Sequence, residues 1–197
     1  MDKILFMKPF LENFTNKKVF GKVFAIILRI LAFISIIGAF VIWILFWKLV
    51  FEIPSTGIAG GVIFQIIFIV GIYMAVHSVF FRAQQISKLK TGDYTVVPVV
   101  CVFLKLLGEI YASLTTAIAI GGGILIWFAG GYGLQLLEEV PQFIPQYGGG
   151  TTFLGGVLFL IGGLVIAFFT IIAFYFAAEF FGIVTDVAVN TKKRSSK

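Results

Sequence analysis

The chain has 197 residues, of which 60% are hydrophobic and only 12% charged, with 24 Phe and a formal net charge of +6. Too few polar residues remain to cover a soluble domain of this size, so the solvent for most of the chain is lipid and a water-soluble globular fold is excluded. The basic excess does not point to nucleic acid either, because it is spread over short segments with no concentrated basic face.

A bilayer offers the backbone no hydrogen-bond partners, so only helices or a closed barrel can cross it. Barrel strands alternate apolar with polar residues over about ten positions. The apolar runs of this chain are continuous and longer, and they predict helices. The expected fold is an all-α integral membrane protein, a four-transmembrane-helix bundle.

Residues 1–22 mix Ile4, Leu5, Phe6, Phe10, Leu11 and Phe14 with Lys8, Glu12, Lys17 and Lys18. This pattern reads as a cytoplasmic segment lying in the interface, its rings in lipid and its lysines near headgroups. The transmembrane domain follows at 23–181, with spans at 23–51, 58–81, 99–129 and 152–181. Each span reaches the roughly 20 residues that about 30 Å of hydrocarbon requires. The first run is too long for a signal core and has no small-residue cleavage site after it, so it reads as a retained helix. Between the second and third spans, Thr91-Gly92-Asp93 is a turn signal, and the residues leading to Pro98 read as extended. After the third span, 133–140 predicts about two helical turns ending at Pro141, and Pro145 with Gly148-Gly149-Gly150 returns the chain to the membrane. Residues 182–197 form a basic tail.

All but one of the 15 Lys and Arg residues fall on the side of the termini and the central connection, Lys48 being the exception. The positive-inside bias makes that side cytoplasmic, so both termini are expected inside, with Trp43, Trp47, Trp127, Tyr132 and Tyr147 as an outer aromatic belt. The cytoplasmic Lys and Arg would also meet anionic lipid headgroups. The lack of a cleavable signal and of Asn in the outer loops favours a bacterial inner membrane.

Two helical hairpins share a pattern. Gly38 to Trp43 parallels Gly122 to Trp127, and Gly60-Gly61 parallels Gly155-Gly156, which suggests a duplicated hairpin with both copies in the same orientation. Shared composition is the competing explanation. Gly121, Gly122 and Gly123 in the third span and Gly155, Gly156, Gly162 and Gly163 in the fourth predict close helix packing. A hinge at Gly121–Gly123 is the functional alternative.

Ionisable groups inside the spans are all shallow. Counting down from the tryptophans, Arg29, His77, Arg82, Lys105, Glu109, Glu179 and Asp186 fall near or just past the inner boundary, with Lys105 and Glu109 able to pair along one helix face. One reading is a structural layer of paired or snorkelling charges. The other is an ion or proton site built from Glu109, Glu179 and His77.

Catalysis finds little support. The chain has one His and one Cys, and no motif of metal ligands, nucleophile elbow or phosphate loop, so no cofactor or metal is expected. The expected function is a non-catalytic accessory, assembly or structural subunit that packs against other membrane proteins or against itself as a homo-oligomer. A small oligomeric channel or transporter with an inner charged site is the alternative.

Overall fold

The computed structural model describes residues 17–89, 96–138 and 152–195, and these are helical throughout apart from short links. Five helices succeed one another: α1 (Lys17–Glu52), α2 (Ser55–Ser87), α3 (Val96–Ala129), α4 (Gly131–Glu138) and α5 (Thr152–Ser195). All except α4 are long and apolar enough to cross a membrane. The chain is therefore an integral membrane protein with four candidate spans among the described residues, and their alternation brings the start of α1 and the end of α5 to one side of the row. We call this the terminal side, and the opposite one the hairpin side.

On the hairpin side the spans end within a few residues of where the apolar runs stop. On the terminal side they run further than 23, 81, 99 and 181, because a helix keeps its internal hydrogen bonds after its side chains turn polar. Pro54 caps α2 at φ −53° and ψ 150°, and its carbonyl accepts from the Gly57 amide at 2.8 Å. Gly130, at φ 62°, ends α3 in the left-handed conformation that favours glycine. Its amide donates to the Ile126 carbonyl at 2.8 Å, and the turn leads into α4. The interfacial segment before residue 17, the turn at Thr91-Gly92-Asp93 and the return through Gly148-Gly149-Gly150 lie outside the described residues.

The spans pack in the order α1, α2, α3, α5, each mainly on its neighbours, with α3 and α5 sharing the largest interface. The α1 and α5 helices share no extended contact, so the four spans form an open row and not a closed ring. Two cores hold the row. On the hairpin side, Phe46 and Val50 of α1 and Ile53 just after it meet Phe64, Leu125, Ile126, Leu137 of α4 and Phe159 of α5. On the terminal side, Ala25, Leu28 and Ala32 meet Val79, Ala83, Ile86, Val99, Val102 and Leu106.

Close approach at glycine builds the hairpin-side contacts. A Cβ on Gly61 would collide with Val50, on Gly121 with Phe64, on Gly122 with Phe159, and on Gly156 with the Trp127 indole. Gly123 and Gly156 face one another backbone to backbone, and Gly163 abuts Ala119. Gly155 has only Ile126 Cγ2 nearby, at 4.0 Å, and Gly162 is half-buried. The helix runs unbroken through Gly121, Gly122 and Gly123, and all three are buried.

Candidate functional site

The polar side chains that meet inside the row come from α2, α3 and α5. Arg82, on α2, points at α3, where its Nε donates to Glu109 Oε2 at 3.1 Å and its Nη2 donates to Glu109 Oε1. This two-point contact matches the guanidinium fork to a carboxylate. Tyr175 of α5 closes the set: its hydroxyl donates to Glu109 Oε1 at 2.5 Å and accepts from Arg82 Nη2 at 2.8 Å. Arg82 Nη1 donates to Gln85 Oε1 at 2.6 Å, and the Ser113 hydroxyl donates to the Glu109 carbonyl at 2.7 Å. The ion-paired side chains are only 11% and 16% exposed, so this is a nearly buried pair with its hydrogen-bonding capacity largely filled.

One turn nearer the terminal side, Lys105 lies 3.6 Å from Glu179 and 4.9 Å from the centre of the Tyr175 ring. Lys105 and Glu109 thus face partners on other helices and do not pair along α3. The Arg82 fork gives Glu109 two donors at once, which a flexible Lys one turn away on the same helix does not match. Arg29 and His77 stay outside the network. Arg29 is exposed on α1; His77 is exposed on α2 and stacks on Tyr73, with ring centres 6.0 Å apart. His77 precedes Arg82 by five residues, about 140° around a helix of 3.6 residues per turn, so the two cannot share a face. Tyr175, a member of the network, carried no sequence signal of its own. A Tyr in an apolar run acquires meaning only once a carboxylate is placed opposite it.

The depth of the network follows from helix rise. Glu109 and Trp127 on α3 are separated by about 27 Å, and Arg29 and Lys48 on α1 by about 28 Å, at 1.5 Å per residue. Both spans are close to the ~30 Å of hydrocarbon in a bilayer. The α3–α5 interface is antiparallel along its whole length, from Lys105 beside Glu179, through Ala119 against Gly163, to the Trp127 indole donating to the Phe153 carbonyl at 3.0 Å. The network therefore lies about one hydrocarbon thickness along the helices from the level of Trp127, and an ionic pair at a bilayer boundary costs far less than at the midplane.

Towards the midplane from this network, α2 and α5 diverge above α3 and leave a groove of about 550 Å³. Its floor is Ala112, Ser113, Thr116 and Ala117, its walls include Met74 and Ile171, and Glu109 and Tyr175 close its terminal-side end. A second buried polar group lies towards the hairpin side. Gln65 is 1% exposed and its Nε2 donates to the Trp43 carbonyl at 3.1 Å, while its Oε1 and the Trp43 and Trp47 indole nitrogens are buried without a hydrogen-bond partner. Among the described residues no three His, Cys, Asp or Glu side chains converge as a metal site.

No protein-family model, curated protein or solved structure matches the chain.

Proposed function

We propose that this chain is a non-catalytic component of a membrane complex, an accessory, assembly or structural subunit that binds a partner membrane protein along α5. One observation carries the reading. Beyond Glu179, α5 continues past the charged layer for about 24 Å at 1.5 Å per residue. On that continuation Phe180, Phe181, Ile183, Val184 and Val187 are 47% to 63% exposed. Within hydrocarbon such exposure needs no explanation, but on the water side of the charged layer a run of large apolar residues marks an interaction surface. Phe176, Phe180, Ile183 and Val187 follow the alternating spacing of four and three that lines a helix–helix seam. As the edge of an open row, α5 also has room for another helix.

A pore within one chain is disfavoured by the same geometry. The cores above and below the groove are packed from apolar side chains, and the Arg82–Glu109 pair satisfies itself. The excess of Lys and Arg makes the terminal side cytoplasmic, consistent with a bacterial inner membrane.

The test is extraction from native membranes in mild detergent, with the particle mass measured and every co-purifying chain identified. A stoichiometric partner that is lost from Ile183→Glu and Val187→Glu variants is the expected result. A homogeneous homo-oligomer would replace this reading with the oligomeric channel, and Glu109 and Glu179 would become the first residues to mutate. A monomer without partners would end both readings.

A further inference from the structure

The groove between α2 and α5 differs from the α5 seam in position and in chemistry. Ile171 and Tyr175 line it, whereas the seam through Phe176 and Phe180 lies about 100° further round the helix. Its floor runs from Glu109 to Ile120, about 16 Å of helix rise, which is close to half of the ~30 Å hydrocarbon and so to the depth of one leaflet. Its volume of about 550 Å³ lies within the range of small-molecule sites. Its walls are largely apolar; its charged group, Glu109, and the Tyr175 hydroxyl stand at the terminal-side end, where a headgroup from that leaflet would lie, while Ser113 and Thr116 place smaller polar groups along the floor. Lys105, one turn below Glu109 on α3, lies just outside the groove lining, with its ammonium 4.9 Å from the centre of the Tyr175 ring at the groove's end. Its counter-charge, Glu179, is 66% exposed and 3.6 Å away, an open pairing that leaves the ammonium able to meet a phosphate.

We propose that this groove is a specific phospholipid site, holding one acyl chain of a lipid from the terminal-side leaflet while the lipid phosphate contacts Lys105. The Arg82–Glu109–Tyr175 network forms the end wall. It bridges α2 to α5 and holds the mouth at a fixed width, and because it is internally neutralised it does not compete for the phosphate. Lipid enters sideways from the bilayer, since the groove is open on the face where Val70 and Met74 are exposed. The site does not depend on the partner proposed above and would be occupied in the isolated chain.

The experiment uses the full chain in vesicles of phosphatidylethanolamine and phosphatidylglycerol doped with a phosphatidylglycerol that carries a photoactivatable group midway along one chain. Labelled residues are mapped by peptide mass spectrometry. Met74 and Ile171 should be labelled about tenfold more than Phe33 and Ile37, a difference of one decade in local occupancy. Those two α1 residues are 61% and 66% exposed and face lipid at a similar depth. Thr116→Phe, which fills the floor without touching the ion pair, should bring groove labelling down to the α1 level, and Lys105→Ala should weaken it. Equal labelling of both faces in the wild-type protein would overturn the proposal without recourse to any variant. Labelling of α1 with none in the groove would overturn it too, and would mean that a protein helix lies there.

Discussion

On the hairpin side the spans meet through absent side chains: Gly61 takes Val50, Gly121 takes Phe64, and Gly156 takes the Trp127 ring. On the terminal side alanines pack around Leu28, Ile86 and Leu106, and a polar network made of Arg82, Glu109 and Tyr175 ties three helices together. The difference teaches what each depth permits. Lipid tails are as apolar as Leu, so within hydrocarbon helices gain little by hiding apolar surface and associate through close van der Waals contact. Near the boundary water is available to charges, the penalty for burying an ion pair falls, and such a pair can set register. The groove lies between the two devices, where α2 and α5 are tied to one another only at its terminal-side end, by Arg82 and Tyr175.

The largest test of this contrast is to break the ion pair. Glu109→Ala leaves the Arg82 guanidinium nearly buried with no counter-charge, a change that costs about 3–5 kcal/mol. Stability is read from reversible unfolding by SDS titration in mixed micelles. Replacing both partners by Met should recover most of the loss, because the uncompensated charge is then gone. If Glu109→Ala unfolds no more easily than wild type, the terminal side is held by its alanine-lined core alone.

A smaller effect is expected from a single methyl group on the other side. Gly156→Ala drives a Cβ into Trp127, displaces the indole from the Phe153 carbonyl and should destabilise by about 1–3 kcal/mol. Its neighbour supplies the control. At Gly155 the nearest atom is Ile126 Cγ2 at 4.0 Å, so Gly155→Ala should stay within about 0.5 kcal/mol of wild type in the same titration. Equal losses at the two positions would mean that close approach at Gly156 does not decide the hairpin-side packing, since helix propensity favours Ala over Gly at both.

These two regions were legible in the sequence to different degrees. Glycine spacing marked the helices that pack closely, but it could not tell Gly155 from Gly156, because that distinction depends on which face of α5 meets α3. The spans themselves were legible from length and hydropathy, and the short helix after the third span from its flanking Gly and Pro. Four spans alone do not fix an open row. The shallow charges were also visible as a layer, yet their partners were not. Lys105 and Glu109 are the obvious pair by spacing, whereas the structure gives Glu109 to Arg82 and Tyr175, from helices whose rotation only packing determines. Gln65, nearly fully buried, had no signal beyond being one polar residue in an apolar run. Its carbonyl oxygen is buried without a partner while its amide makes one bond, so Gln65→Met should shift stability by less than about 1 kcal/mol.

The smallest effect belongs to the outer charges. Lys105 and Glu179 sit 3.6 Å apart with side chains 27% and 66% exposed, and a pair this open typically contributes about 0.2–1 kcal/mol. Lys105→Ala should therefore lower the SDS midpoint only slightly, and added salt should reduce even that difference, since exposed pairs are screened while nearly buried ones are not. A loss as large as that of Glu109→Ala would erase the contrast within the charged layer. It would mean that Lys105 belongs to the same cooperative unit as Arg82, Glu109 and Tyr175, linked through the Tyr175 ring on which its ammonium rests.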